Sequence, residues 1–301
     1  METKIANLIK AKGPLTGQEL LEHLQIDKLL LWRTCRSAGH LTIRIVGTRY
    51  IRFDRRMEAS VRLSPSILRE FLTYSLVGLK ENPVLLEEKA QELSRQIRAI
   101  SHSKSQLIFN IISALAANLA LEAELLDQVC FILAGDIVYQ MAHNVPRPER
   151  STGKMVRGSD IDLVVIVDDA FPTALAQRLD AAIFEEKRRL LLTPHMMEEI
   201  DYVVKNLEKV REQCCFETFK HRVACKILNE GTFLFGSARL FQYVKNLLKQ
   251  EGLVQKLNQM QHQAETLRKE AETLLLTAVP AKINTLYPGL FYPADESEEF
   301  E

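Results

Sequence analysis

Apolar side chains recur at helical spacing from the start of the chain, with Ile5, Leu8 and Ile9 on one face. Leu15 to Leu24 repeats the pattern after Gly13-Pro14, with Thr16 placed to cap it, and a third helix is predicted from about Asp27 to Ser37. Leu41 to Val46 and Arg49 to Phe53 then alternate apolar and polar around Gly47-Thr48, which predicts a two-stranded ribbon. Residues 60 to about 127 read as helical throughout, broken at Asn82-Pro83 and at Ser101-His102-Ser103. Cys130 to Ala134 predicts a short buried strand. A polar loop over 143–158 leads to an apolar strand that carries Asp160 and Asp162 at its start, and Glu199 to Val204 predicts another strand. From Leu253 the apolar positions are Leu257, Met260, Ala264, Leu267, Ala271, Leu274 and Ala278, in steps of four and three. That is a heptad pattern, and it leaves two outcomes open: a helical hairpin on the chain's own core, or a homodimer through the C-terminal helices. The acidic tail DESEEFE is expected to be disordered.

Charge changes the picture of the first segment only. The chain balances 39 basic against 39 acidic residues, yet residues 1–60 hold eleven basic and six acidic ones. The arginines there, including Arg33, Arg36, Arg44, Arg49 and Arg52, all fall on the third helix, the ribbon or its end. Three helices followed by a ribbon resembles a winged helix-turn-helix. In that fold these elements touch phosphates, so contact with DNA or RNA through residues 1–58 is expected. A protein-docking module with a solvated basic face remains the alternative.

Composition is that of an ordinary globular protein, 47% hydrophobic and 26% charged. The five cysteines form no CxxC pair, so no zinc site or disulfide framework is indicated. No apolar run reaches the roughly 18 residues of a membrane span, and METKIANLIKAKG lacks a signal-peptide core. No membrane partner and a cytoplasmic location are expected.

The chemistry concentrates over residues 130–168. Residues i and i+2 of a strand share a face, so Asp160 and Asp162 project together. Adjacent carboxylates repel unless a cation neutralises them, and Mg²⁺ suits carboxylates combined with substrate phosphates. Two such ions could clamp an attacking oxygen and a leaving pyrophosphate. Asp201, starting another apolar strand, is a third candidate ligand.

GSDIDLVVIVDD resembles the second motif of the polymerase-β nucleotidyltransferase superfamily, and FILAGD resembles the first. Glu199 to Val204 fits the strand with the family's third carboxylate, and ILNEGTFLFGS resembles the helix-to-edge-strand segment of its small members. The resemblance covers roughly residues 105–238. It implies an Mg²⁺-dependent transfer of a nucleoside monophosphate from a nucleoside triphosphate to an acceptor hydroxyl. Asp160, Asp162 and Asp201 would be the catalytic and metal-binding residues.

Two departures stand out. Asp136 occupies a position where the family has Gly or Ser, and the loop from Gly135 to Asp160 is long. Phosphate contacts are therefore expected from Gly135, Ser151, Thr152, Gly153, Lys154, Arg157 and Ser159. The same departures favour a second reading, a DNA-binding regulator whose nucleotidyltransferase fold senses a nucleotide with weak or no catalysis. The expected architecture is α+β. It comprises a winged helix at 1–58, a helical linker at 59–104, a mixed-sheet nucleotidyltransferase core at 105–238, and C-terminal helices with the tail at 239–301.

Overall fold

A computed structural model describes residues 1–55, 61–119, 123–149, 152–279 and 290–291. The architecture is α+β with small sheets. The chain forms two compact units. The first holds Met1–Gln96 and the described residues from Met260 on, and the second holds Ile97–Gln259.

The first unit begins α1 (Glu2–Lys12), β1 (Leu15–Thr16), α2 (Gly17–Leu24) and α3 (Lys28–Ser37). Thr16 and Glu19 form a reciprocal capping box at the start of α2, which fixes where that helix begins. Then follow β2 (Leu41–Ile45), β3 (Tyr50–Phe53), β4 (Val61–Ser64), α4 (Ile67–Thr73) and β5 (Ser75–Leu79). The expected ribbon does not form: β2 pairs with β5, and β3 pairs with β4. Alternation identifies strands but not their partners, and β5, buried at every position, is the better match for β2. The three-stranded sheet has the order β1-β5-β2, with β3, β4 and α4 inserted between its last two strands in sequence. Reading residues 60–127 as wholly helical is thereby corrected, because β4 and β5 lie within them. Ile5, Ile9, Leu20, Leu31, Phe71 and Val77 centre the core, joined by Leu275.

Two long helices, α5 (Pro83–Asn118) and α11 (Leu253–Thr277), contribute residues to both units. Along α11 the buried residues are Leu253, Leu257, Ala264, Arg268 and Leu275. The heptad phase expected through Leu267 and Leu274 therefore slips by one position after Ala264. A straight helix turns once in 3.6 residues, so a 3.5-residue stripe drifts off its face. This face is buried within the chain itself.

The second unit continues with α6 (Ala123–Leu126), β6 (Val129–Ala134), β7 (Pro146–Pro148), β8 (Met155–Arg157) and β9 (Ile161–Val167). After them come α7 (Thr173–Leu192), β10 (Ile200–Asn206), α8 (Leu207–Gln213), α9 (Phe219–Glu230), β11 (Thr232–Gly236) and α10 (Ala238–Gln250). Its sheet has the order β10-β9-β6-β11. The β10–β9 pair is parallel and the other two are antiparallel. Phe131, Leu133, Leu163 and Val165 pack with Ile108 and Ile112 of α5 and Leu179 and Ile183 of α7. The two central strands are apolar on both faces, so polar side chains are confined to their ends. Among the described residues no helix is long and apolar enough to cross a membrane.

Candidate metal centre

Strand register brings the acids together. Asp162 on β9 lies opposite Asp201 on β10 and Ala134 on β6, and Asp160 immediately precedes β9. One carboxylate oxygen from each of Asp160, Asp162 and Asp201 lies within 4.8 Å of the others. All three residues are only partly buried, so the cluster is open to solvent.

Gly135 is required where β6 ends. Its φ is +68°, and a Cβ built there would lie 1.7 Å from Asp162 Oδ2. The turn after β6 thus runs against the Asp162 carboxylate at a distance only glycine permits. The Gly135 amide donates to Glu230 Oε1 at 3.1 Å. Glu230 is buried against Lys226 and also accepts from Tyr139 Oη at 2.7 Å. In this arrangement the Gly135 N–H serves the fold, whereas the sequence suggested a phosphate contact.

The remaining loop residues divide. Thr152 donates through its amide and hydroxyl to Glu149 Oε2, and the Gly153 amide donates to Glu149 O, so this tip is closed on Glu149. Lys154 and Arg157 are exposed. Ser159 is buried, and its hydroxyl donates to Asp136 Oδ2 at 2.7 Å. That bond turns the Asp136 carboxylate, the departure from the family pattern, toward Ser159. Ser151 lies outside the described residues.

Three neighbours escaped the sequence reading. Arg147 on β7 donates from Nε to Gly158 O at 2.7 Å. Its Nη2 lies 2.8 Å from Glu199 Oε2 and 3.3 Å from Asp160 Oδ2. Glu199 is the second; burial pushes its carboxyl up to about 7, against the pull of Arg147 and with help from Asp201 and Asp160. The third is Lys104, in a helix that showed no chemistry in sequence. It is buried, pairs with Glu198, and donates to Arg157 O at 2.9 Å and Ser159 O at 2.8 Å. It fastens the chain just before Asp160. A basic residue among the apolar positions of a helix was its only sequence signal. On α7, Lys187 pairs with Asp201 at 3.1 Å.

The donor set suits a hard divalent cation: oxygen ligands only, from three partly buried residues. Glu199 Oε2 is buried and meets Arg147 Nη2 at 2.8 Å without an aligned hydrogen bond.

The proposed nucleic-acid residues of the first unit are engaged elsewhere within it. Arg33 donates to Leu275 O and Ala278 O, and Arg36 pairs with Glu272 at 2.6 Å. Arg49 forks onto Glu70 and reaches Glu272 at 3.2 Å. Arg44 pairs with Glu87 on the surface, and Arg52 is half-buried opposite Arg62. Compared with family models, curated proteins and solved structures, the chain matches none.

Proposed function

We propose that the second unit is a polymerase-β-type nucleotidyltransferase core. It would transfer a nucleoside monophosphate from a nucleoside triphosphate to an acceptor hydroxyl and release pyrophosphate. The observation that carries this reading is the convergence of Asp160, Asp162 and Asp201 from two parallel strands, beside a turn that must be glycine at Gly135. Asp160, Asp162 and Asp201 would hold Mg²⁺, which when bound neutralises the carboxylates and stabilises charge on the transferring phosphoryl group. Asp201, at the solvent-accessible edge and paired with Lys187, is the carboxylate that receives the acceptor's proton. The exposed Lys154 and Arg157 are the cations available to the triphosphate on the loop side. Lys104 and Glu230 hold the two backbone segments between which the carboxylates sit.

The order β1-β5-β2 behind three helices supports a winged-helix reading of the first unit, with β3 to α4 as an insertion in the wing. Engagement of Arg33, Arg36 and Arg49 by α11 favours a docking module over a DNA reader.

The second reading, a nucleotide sensor with weak or no catalysis, is favoured by one observation: the Gly135 amide is bonded to Glu230. Incubation with each of the four nucleoside triphosphates, Mg²⁺ and a panel of acceptors separates the two. Pyrophosphate release that disappears in the Asp160→Asn, Asp162→Asn double variant supports transfer. Nucleotide binding without release supports sensing.

A further inference from the structure

Arg147 sits where a cation is wanted. Its guanidinium lies between Glu199 and Asp160, at 2.8 and 3.3 Å. We propose that Arg147 is an internal counter-ion of the acidic centre, occupying Asp160 and Glu199 until a divalent cation displaces it, and so sets the cation concentration at which the site fills. This rests on the metal-binding reading of Asp160, Asp162 and Asp201.

Three features of the pairing carry the inference. Arg147 is held at its base, because Nε donates to Gly158 O at 2.7 Å. Gly158 is fixed in turn: its φ is +59°, and a Cβ there would meet His143 O at 1.8 Å. The hairpin of β7 and β8 therefore presents the guanidinium to the acids in a defined place. The tip of the side chain is held differently. Arg147 Nη2 and Glu199 Oε2 are both buried, yet neither makes an aligned hydrogen bond despite their proximity. The attraction at the tip is mainly charge against charge, without the geometric fork that makes an arginine–carboxylate pair specific. Finally, the side chain as a whole is 26% exposed, so solvent reaches part of it although Nη2 is buried.

A divalent ion supplies twice the charge and binds the carboxylate oxygens directly. It then finds the guanidinium's positive charge within a few ångströms. Repulsion at that range in a partly solvated site lowers cation affinity on the order of tenfold. Arg147 would thus keep the acids together when no ion is bound and oppose loading by trace cations. Once displaced, it is a guanidinium beside the site where a triphosphate would lie.

The test is Mn²⁺ titration, followed by calorimetry, of the full chain and of the R147Q and R147K variants. R147Q should bind Mn²⁺ about tenfold more tightly, and R147K, which keeps the charge, should match the wild type. Equal or weaker binding by R147Q overturns the counter-ion role while leaving the metal site intact. Equal tightening in both variants also overturns it, because charge would not be the cause. If neither the wild type nor R147Q binds Mn²⁺, the inference and the metal-binding reading fall together. A second measurement needs no variant: Mn²⁺ should raise labelling of Arg147 by phenylglyoxal in the wild type. Labelling that Mn²⁺ leaves unchanged, in protein that binds the ion, overturns the displacement.

Discussion

Around Glu70 in the first unit, acids and bases alternate, whereas around Asp162 in the second, like charges face one another. Glu70 receives a forked pair of bonds from Arg49 and lies 3.1 Å from Arg268. Glu272 in turn meets Arg36, Arg49 and Arg268. Each acid there touches at least two guanidinium groups, and the whole ties α11 to the other elements of its unit. At the second cluster Asp160, Asp162 and Asp201 approach within 4.8 Å. Glu199 beside them is pushed up to about 7, chiefly by burial. In the first arrangement every acid is matched by guanidinium groups of its own unit. The second sets three carboxylates against one another, and that difference, rather than the number of charged residues, marks a candidate site.

The contrast can be broken in several ways. The largest effect is expected from Asp162→Asn. Pyrophosphate release should fall at least ~1000-fold, equivalent to about 4 kcal/mol at the transition state, with thermal stability unchanged or raised. A variant that keeps its activity would remove Asp162 from the centre. Glu70→Ala is the mirror experiment. It strands Arg49 and Arg268 and should destabilise the first unit by roughly 3 kcal/mol in urea unfolding. Mn²⁺ affinity of the second unit should not change. Stability near that of the wild type would show that the Glu70 network is ornamental.

Smaller effects sharpen the second cluster. Gly135→Ala must hold a left-handed backbone at about 1–2 kcal/mol, and its methyl group must push Asp162 aside. It should lower stability and Mn²⁺ affinity together; loss of stability alone would separate the turn from the site. The smallest effect is pH-dependent. A carboxyl raised from 4.5 to about 7 in the folded state takes up protons that the unfolded chain does not, so its contribution to stability falls as pH climbs through that window. Glu199→Gln should therefore be more stable than the wild type at pH 8, by roughly 1–2 kcal/mol, and the advantage should vanish below pH 4.5. An advantage that is the same at all pH values would point to packing instead.

Legibility followed sequence distance. Asp160 and Asp162 are two residues apart at the head of an apolar strand, so the strand's period alone puts them on one face. Asp201 shows the same local signature, and parallel pairing then sets it opposite Asp162. Partners chosen by tertiary contact left no such trace. Arg33, Arg36 and Arg49 looked like a phosphate-binding surface because residues more than two hundred positions away, on α11 and just beyond it, engage all three, and Arg49 also forks onto Glu70 of α4. Arg147 looked like one more basic residue in a polar loop, and Glu230 like the end of a helix. The β2–β5 pairing was equally hidden, because Ser75–Leu79 lay in a stretch that read as helical and an insertion separates it from β2. The α11 register failed for a different reason. Heptad counting assumes a supercoiled partner, and this helix packs on its own chain with the period of a straight helix.

The most direct test of the metal centre is an anomalous-scattering map from crystals of the full chain grown with Mn²⁺. An ion bound as proposed gives a peak about 2.1 Å from carboxylate oxygens of Asp160, Asp162 and Asp201, with Arg147 moved away from Asp160. A map with no peak at these three carboxylates, in crystals saturated with Mn²⁺, would contradict the account.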